Sequence, residues 1–188
     1  MYKKIKQVLY SKVCSKNDLV PASMGVYHED GNFIATNGHL AVIVKGDYPA
    51  EYEGKAITKK EQIFEGKYPN YKSIVPLEKD LSKIFDRTEE LSNLFDVCKT
   101  LPEEIFVLSL CERINSFGCT EVIVYNKESL ITASKIFEIL KETPKGYLHE
   151  HEVINSKNAS SLNLILKSEK CTVFFREGNL LPGTYLSL

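Results

Sequence analysis

The chain has 188 residues, 43% of them hydrophobic, and carries 24 Lys and Arg against 25 Asp and Glu, a formal net charge of −1. That length suffices for one large or two small domains with a real core, and the apolar share excludes wholesale disorder. So even a charge balance excludes a uniformly basic nucleic-acid binder, and any DNA affinity would need basic residues gathered on one face.

The order of elements begins with an ambiguity. Ile5, Val8, Leu9 and Val13 have near-helical spacing, yet Val8-Leu9-Tyr10 also suits a strand. The rest of residues 1–76 reads as strands and turns. Met24 to His28 runs into Asp30-Gly31-Asn32, a hairpin signal, and Phe33 to Ala35 returns. Asn37-Gly38 is a second tight turn, because both residues tolerate positive φ. Leu40 to Val44 forms a third strand ended by Tyr48-Pro49, and Ile57 and Ile63-Phe64 mark short further ones.

Beyond Pro76 the periodicity changes. Leu77, Leu81, Ile84, Phe85, Leu91, Leu94, Phe95 and Cys98 recur with a period near 3.6, predicting an amphipathic helix that ends at Thr100-Leu101-Pro102. Strands are predicted at Ile105 to Leu110, Arg113 to Phe117 and Glu121 to Tyr125. A second helix, Glu128 to Lys141, turns Ile131, Ile136, Phe137 and Leu140 inward and stops at Thr143-Pro144-Lys145-Gly146. Strands return at Leu162 to Leu166, Thr172 to Phe175 and Thr184 to Leu186.

Catalytic and metal signatures are weak. Cys14, Cys98, Cys111, Cys119 and Cys171 contain no Cys-x-x-Cys pair and read as small core hydrophobes. His149-Glu150-His151-Glu152 puts two imidazoles on one side of an extended segment, but no third ligand follows by spacing, so an exposed polar strand or loop is the better reading. No nucleophile elbow, phosphate loop or dinucleotide fingerprint is present. No catalytic residue, metal or cofactor is expected, and a Cys–His nucleophile pair stays as an alternative that nothing specific supports. No apolar run approaches the roughly 20 residues of a membrane span. Met1-Tyr2-Lys3-Lys4-Ile5-Lys6 lacks a following apolar region, so the expectation is a cytoplasmic protein with reduced thiols and no membrane partner. There the Asn158-Ala159-Ser160 sequon has no role.

Two blocks carry the strongest signal: Ile34-Ala35-Thr36-Asn37-Gly38-His39-Leu40-Ala41-Val42, and Gly66-Lys67-Tyr68-Pro69-Asn70-Tyr71-Lys72-Ser73-Ile74-Val75-Pro76. In this order they resemble the bacterial DNA polymerase III beta subunit (sliding clamp) family, where a Thr-Asp-Gly-His-Arg-Leu-Ala turn precedes a Phe-Pro-Asp-Tyr segment ending in Pro. Here Asn37 replaces the Asp, the Arg after His is missing, and Ser73 stands where the family has a second Arg. The resemblance implies an α+β, DNA-clamp-like fold with antiparallel sheets and helices on one face. It implies a shortened, mostly strand domain over 1–76, with no good helix before the Thr36 block, and a clamp-like domain with two helices over 77–188.

The resemblance also implies a function. In the family these segments grip short peptides of polymerases and repair proteins. Thr36, Gly38, His39 and Leu40, then Pro69 and Ile74, and near the end Leu186 and Leu188 match that pocket, with Pro69 and Ile74 as apolar members. Clamp-binding peptides are the expected partners, and duplex DNA and further copies of the chain are candidate ones. The expected helix faces carry charges of both signs, as solvated faces do. The local basic excess is Lys3, Lys4, Lys6, Lys12 and Lys16, which makes the first four the candidate phosphate contacts. The expected role is a non-catalytic accessory protein of DNA replication or repair. The alternative is an interaction module of the same fold without DNA binding, competing for clamp partners.

Overall fold

Ile5, Leu9 and Val13, spaced four apart, are each fully buried. That stripe draws Tyr2–Val8 into helix α1 and continues into a π-helical turn, Leu9–Val13, closed by the Cys14 amide on the Leu9 carbonyl at 2.8 Å. In the wider turn the Tyr10 hydroxyl donates to the Ile57 carbonyl at 2.9 Å, and the Ser11 hydroxyl bonds back to Gln7 at 2.8 Å. The computed structural model describes residues 2–16, 21–64, 66–75, 82–85, 88–102, 107–114, 120–152, 160–176 and 186–187.

The first hairpin joins β1 (Val26–Glu29) to β2 (Asn32–Thr36). Asp30 and Gly31 take φ of +52° and +70°, the two left-handed positions of a tight hairpin turn. Strands β3 (Leu40–Lys45), β4 (Lys55–Ile57), β5 (Ile63–Phe64) and β6 (Ser82–Phe85) follow, then helix α2 (Thr88–Thr100), β7 (Val107–Ile114) and β8 (Thr120–Asn126). Helix α3 (Lys127–Leu140) precedes β9 (Lys145–Glu152), β10 (Ser160–Lys167), β11 (Cys171–Phe175) and β12 (Leu186–Ser187). The Asn126 side chain caps α3 by accepting the Ser129 amide at 3.0 Å, and Lys141 in the left-handed region ends it. The buried Lys127 ammonium donates to the Pro102 carbonyl at 2.7 Å, tying the start of α3 to the end of α2.

Among the described residues there are two sheets, one of nine strands in the order β5-β4-β1-β2-β3-β11-β10-β9-β6 and one of three, β12-β7-β8. β3 pairs antiparallel with β11, Leu40 opposite Phe175, so the large sheet runs unbroken through both expected units. Its helix-side face carries Phe33, Leu40, Val42, Leu164, Val173 and Phe175, which meet Ile5, Leu9, Leu130, Ile136 and Phe137 of the helices in one core. α3 packs against both α1 and α2. The opposite face holds two smaller clusters, one around Ile34, Ala56 and Tyr68 and one of Ala41, Ile165 and Phe174. The alternation of strand residues divides the apolar set between the two faces.

The antiparallel nine-stranded sheet and the helix layer agree with the expected α+β, clamp-like fold; in the smaller sheet β12 joins β7 in parallel, and three elements correct the reading. A helix does precede the Thr36 block, because the Ile5, Leu9 and Val13 stripe prevails over the strand propensity of Val8-Leu9-Tyr10. Ser82–Phe85 is a strand paired with β9, Ser82 opposite Leu148, where helical spacing predicted helix; the ladder prevails over a short coincidence of period. The expected strands at 105–110 and 113–117 are one strand, since Glu112 and Arg113 sit within the β7–β8 ladder opposite Val122 and Glu121. Residues 76–81, 103–106, 115–119 and 177–185 of those expectations lie outside the described residues.

Candidate peptide-binding groove

The Thr36–Leu40 turn is built from its own side chains. The Thr36 hydroxyl donates to the Leu40 carbonyl at 3.0 Å and accepts the Gly38 amide at 3.1 Å. Asn37 Oδ1 accepts the His39 and Leu40 amides at 3.0 and 2.9 Å, and Gly38 takes φ of +89°. Asn37 thus does the turn chemistry that an Asp would do. The turn leaves His39 exposed, and the Arg176 amide, just past β11, donates to the His39 carbonyl at 2.9 Å. Leu40 points the other way, 1% exposed in the helix-side core, and supports the turn from beneath.

The 66–75 segment lies across the opposite face of the sheet like a strap. The Tyr68 ring stacks on Tyr27 at 4.6 Å, and its buried hydroxyl donates to the Ile34 carbonyl at 3.3 Å. Burial raises the Tyr68 pKa, keeping the phenol a donor. Tyr71 donates to Glu29 Oε2 at 2.6 Å, while the Lys72 ammonium lies 3.0 Å from Glu29 and 3.2 Å from Asp30. The Tyr71 bond, then Lys72, holds the Glu29 carboxyl below the usual range, and burial followed by Glu29 raises the Tyr71 pKa. Tyr68 therefore anchors two residues from Thr36, and the half-buried Pro69 follows it directly. The Tyr68 bond thus joins the strap to β2, the strand that leads into the turn.

Solved structures similar over nearly the whole chain include three bacterial clamps. The Caulobacter crescentus beta sliding clamp superposes with a TM-score of 0.58 at 12% identity, covering 95% of this chain and 64% of its own. The Helicobacter pylori beta clamp bound to a DNA ligase peptide gives 0.54 at 11%, covering 94% and 63%. DNA polymerase III subunit beta from Borrelia burgdorferi gives 0.53 at 18%, covering 94% and 62%. The fold is that of a bacterial sliding clamp. The chain spans under two thirds of the length of these clamps, between 62% and 64%. No protein-family model matches the sequence, and no curated protein does.

The clamp fold puts the remaining expected residues in different places. Ile74 ends the short helical turn of the strap, Tyr71–Ile74. Leu186 lies in β12, opposite Leu108 in the smaller sheet, away from the strand ladder that carries the turn, and Leu188 is outside the described residues. Lys3 and Lys4 are exposed on α1. Lys6 instead lies 4.8 Å over the Phe33 ring, its pKa lowered by burial, and Lys12 is 3.7 Å from Glu128 of α3. The expected basic cluster is divided.

Sequence reasoning missed the tyrosines that hold the strap to the sheet. Tyr68 and Tyr71 stood in the quoted segment, but their partners, Ile34 and Glu29, are 34 and 42 residues away. The enzyme alternative gains little. Burial pushes the Cys14 and Cys98 thiols up to about 12 and 11, and Cys171 higher still, which leaves no thiolate nucleophile among them at neutral pH. Among the described residues no His, Cys, Asp and Glu cluster could hold a metal, and no helix is long and apolar enough to cross a membrane.

Proposed function

We propose that this chain is a non-catalytic, clamp-like accessory protein of DNA replication or repair that grips short extended peptides at the corner formed by Thr36, His39 and Pro69. The single observation that supports this reading is the Tyr68 bond to the Ile34 carbonyl, which ties the strap to β2 two residues before Thr36. Gly38 shapes that turn and Leu40 backs it from the core, while Ile74, Leu186 and Leu188 are the proposed completing residues. Apolar anchors of an extended peptide suit such a corner, because a few buried contacts carry most of the affinity. The Helicobacter pylori clamp was solved with a DNA ligase peptide, so peptides of that kind are the natural ligands to try.

Binding of a ligase-type clamp peptide by the parent, His39→Ala and Pro69→Ala tests the site. The expected result is a loss of about fivefold or more in each variant. Equal affinity in all three, or no binding by the parent, refutes the groove.

A second reading, an interaction module without DNA binding, is favoured by the divided lysines of α1 and the π-helical turn after it. DNA retention that falls steeply with added salt supports the replication role, through phosphate contacts at Lys3, Lys4 and their neighbours. Absence of retention at low salt supports the second reading.

A further inference from the structure

His28 of β1 is fully buried, yet its Nε2 has no hydrogen-bond partner. Nδ1 faces the Lys55 carbonyl at 3.4 Å, so that nitrogen carries the proton and Nε2 is left as a bare lone pair. Around the imidazole stand Phe33, Tyr48 and Tyr52, with ring centroids at 5.3, 4.9 and 5.5 Å. Two of those rings belong to the 46–54 loop, which packs here on the helix-side face of the sheet.

The loop is held by a small set of bonds, most of them to the tip of the β1–β2 hairpin. The Gly54 amide donates to the His28 carbonyl at 2.8 Å and the Gly46 amide to the Gly31 carbonyl at 2.9 Å. Tyr48 accepts the Gly31 amide at 3.0 Å and donates to Glu53 at 2.6 Å, while Glu53 accepts the Asp30 amide at 3.1 Å. At Gly46 a Cβ would come within 2.6 Å of the Tyr2 ring, so the loop closes this tightly only with glycine there. Asp30 also meets Lys72 of the strap at 3.2 Å, which places the loop and the strap on one hairpin tip.

We propose that His28 is an acid-released latch: a proton taken up at Nε2 frees the 46–54 loop from the hairpin while the rest of the sheet stays folded. An imidazolium in that cage would be a buried charge with no acceptor for its new N–H. The groups that favour the charged form, the Lys55 and Val26 backbones and Glu53, do not outweigh burial. Lys6 of α1 repels it, the Tyr48 phenol has its pKa raised and stays neutral, and Glu53 is engaged by Tyr48 and the Asp30 amide. Burial accordingly holds His28 down at about 4, against 6.5 for a free imidazole. Opening the loop releases the imidazole to its ordinary basicity, so acid drives the opening. The latch stands independently of the peptide reading, and the shared Asp30 gives it a route to the strap.

Native-state hydrogen exchange on the full chain between pH 6 and 4.5, corrected for intrinsic rates, tests this. The expected result is a rise of about tenfold per pH unit in the opening constants of the Gly31 and Gly54 amides, with the Val173 amide of β11 unchanged. His28→Leu should remove the slope, and Tyr48→Phe should raise opening by a constant factor and leave the slope. The proposal is overturned by flat Gly54 exchange, by an equal rise at Val173, by the same slope in His28→Leu, or by an imidazole that titrates near 6.5 while the loop stays protected. The wild-type profile with its Val173 control decides the matter even if a variant fails to fold.

Discussion

The two faces of the nine-stranded sheet are stabilised by different means. The helix-side face is a continuous apolar core in which Phe33, Leu40, Leu164, Val173 and Phe175 interlock with three helices. The opposite face has two small clusters, and the strap lies on it through tyrosine hydroxyls and an ion pair. Apolar volume resists rearrangement, whereas a half-exposed bond such as Tyr71 to Glu29 and the exposed Lys72 ion pairs exchange readily with water or a ligand. The rigid face therefore supports the fold, and the adjustable face carries the Pro69 strap.

The largest expected effect falls on the rigid side. Phe175 is 1% exposed and lies opposite Leu40, directly behind the turn that carries His39. Phe175→Ala should cost about 3–5 kcal/mol in urea unfolding, since the cavity it leaves cannot collapse in a sheet packed this closely. A loss below about 1 kcal/mol would mean that the helix-side face is not the rigid one.

Legibility in the sequence follows the same division. α3 was read as Glu128 to Lys141 and runs Lys127–Leu140, because its cap, its buried stripe and its stop are all local. The Asp30-Gly31 turn was legible for the same reason. What failed depended on distant partners: β6 becomes a strand only because β9 lies beside it, over sixty residues along the chain. The site behaved alike. The Thr36–Leu40 turn closes on its own atoms and could be foreseen, but the facing of Leu40 could not. That Leu40 turns inward shows only in its burial within the helix-side core, against residues of distant elements.

A smaller effect is expected where the strap meets the sheet. Tyr68→Phe keeps the ring stacked on Tyr27 and removes only the hydroxyl bond to Ile34. Stability should fall by about 1 kcal/mol, and peptide affinity should fall with it if that bond seats Pro69. A variant with parent affinity and lower stability would separate the strap's packing from the groove and blur the contrast between the faces.

The smallest effect concerns charge on the adjustable side. Glu29 titrates below its ordinary value because Tyr71 and Lys72 stabilise the carboxylate. Its depressed folded pKa means that its contribution is present above about 4.5, the unfolded value, and is lost as pH falls through the folded value. Tyr71→Phe removes the larger of these supports and leaves the ring in place. Stability at neutral pH should drop by about 0.5–1 kcal/mol, and the parent's further loss on acidification below pH 4.5 should become shallower. The phenol then accounts for the acid sensitivity of this face, separately from the buried imidazole on the other. An unchanged acid slope in Tyr71→Phe would assign that sensitivity to Lys72 alone, whose exposed ammonium is open to screening by salt, and the two assignments separate when the slope is measured again at high ionic strength.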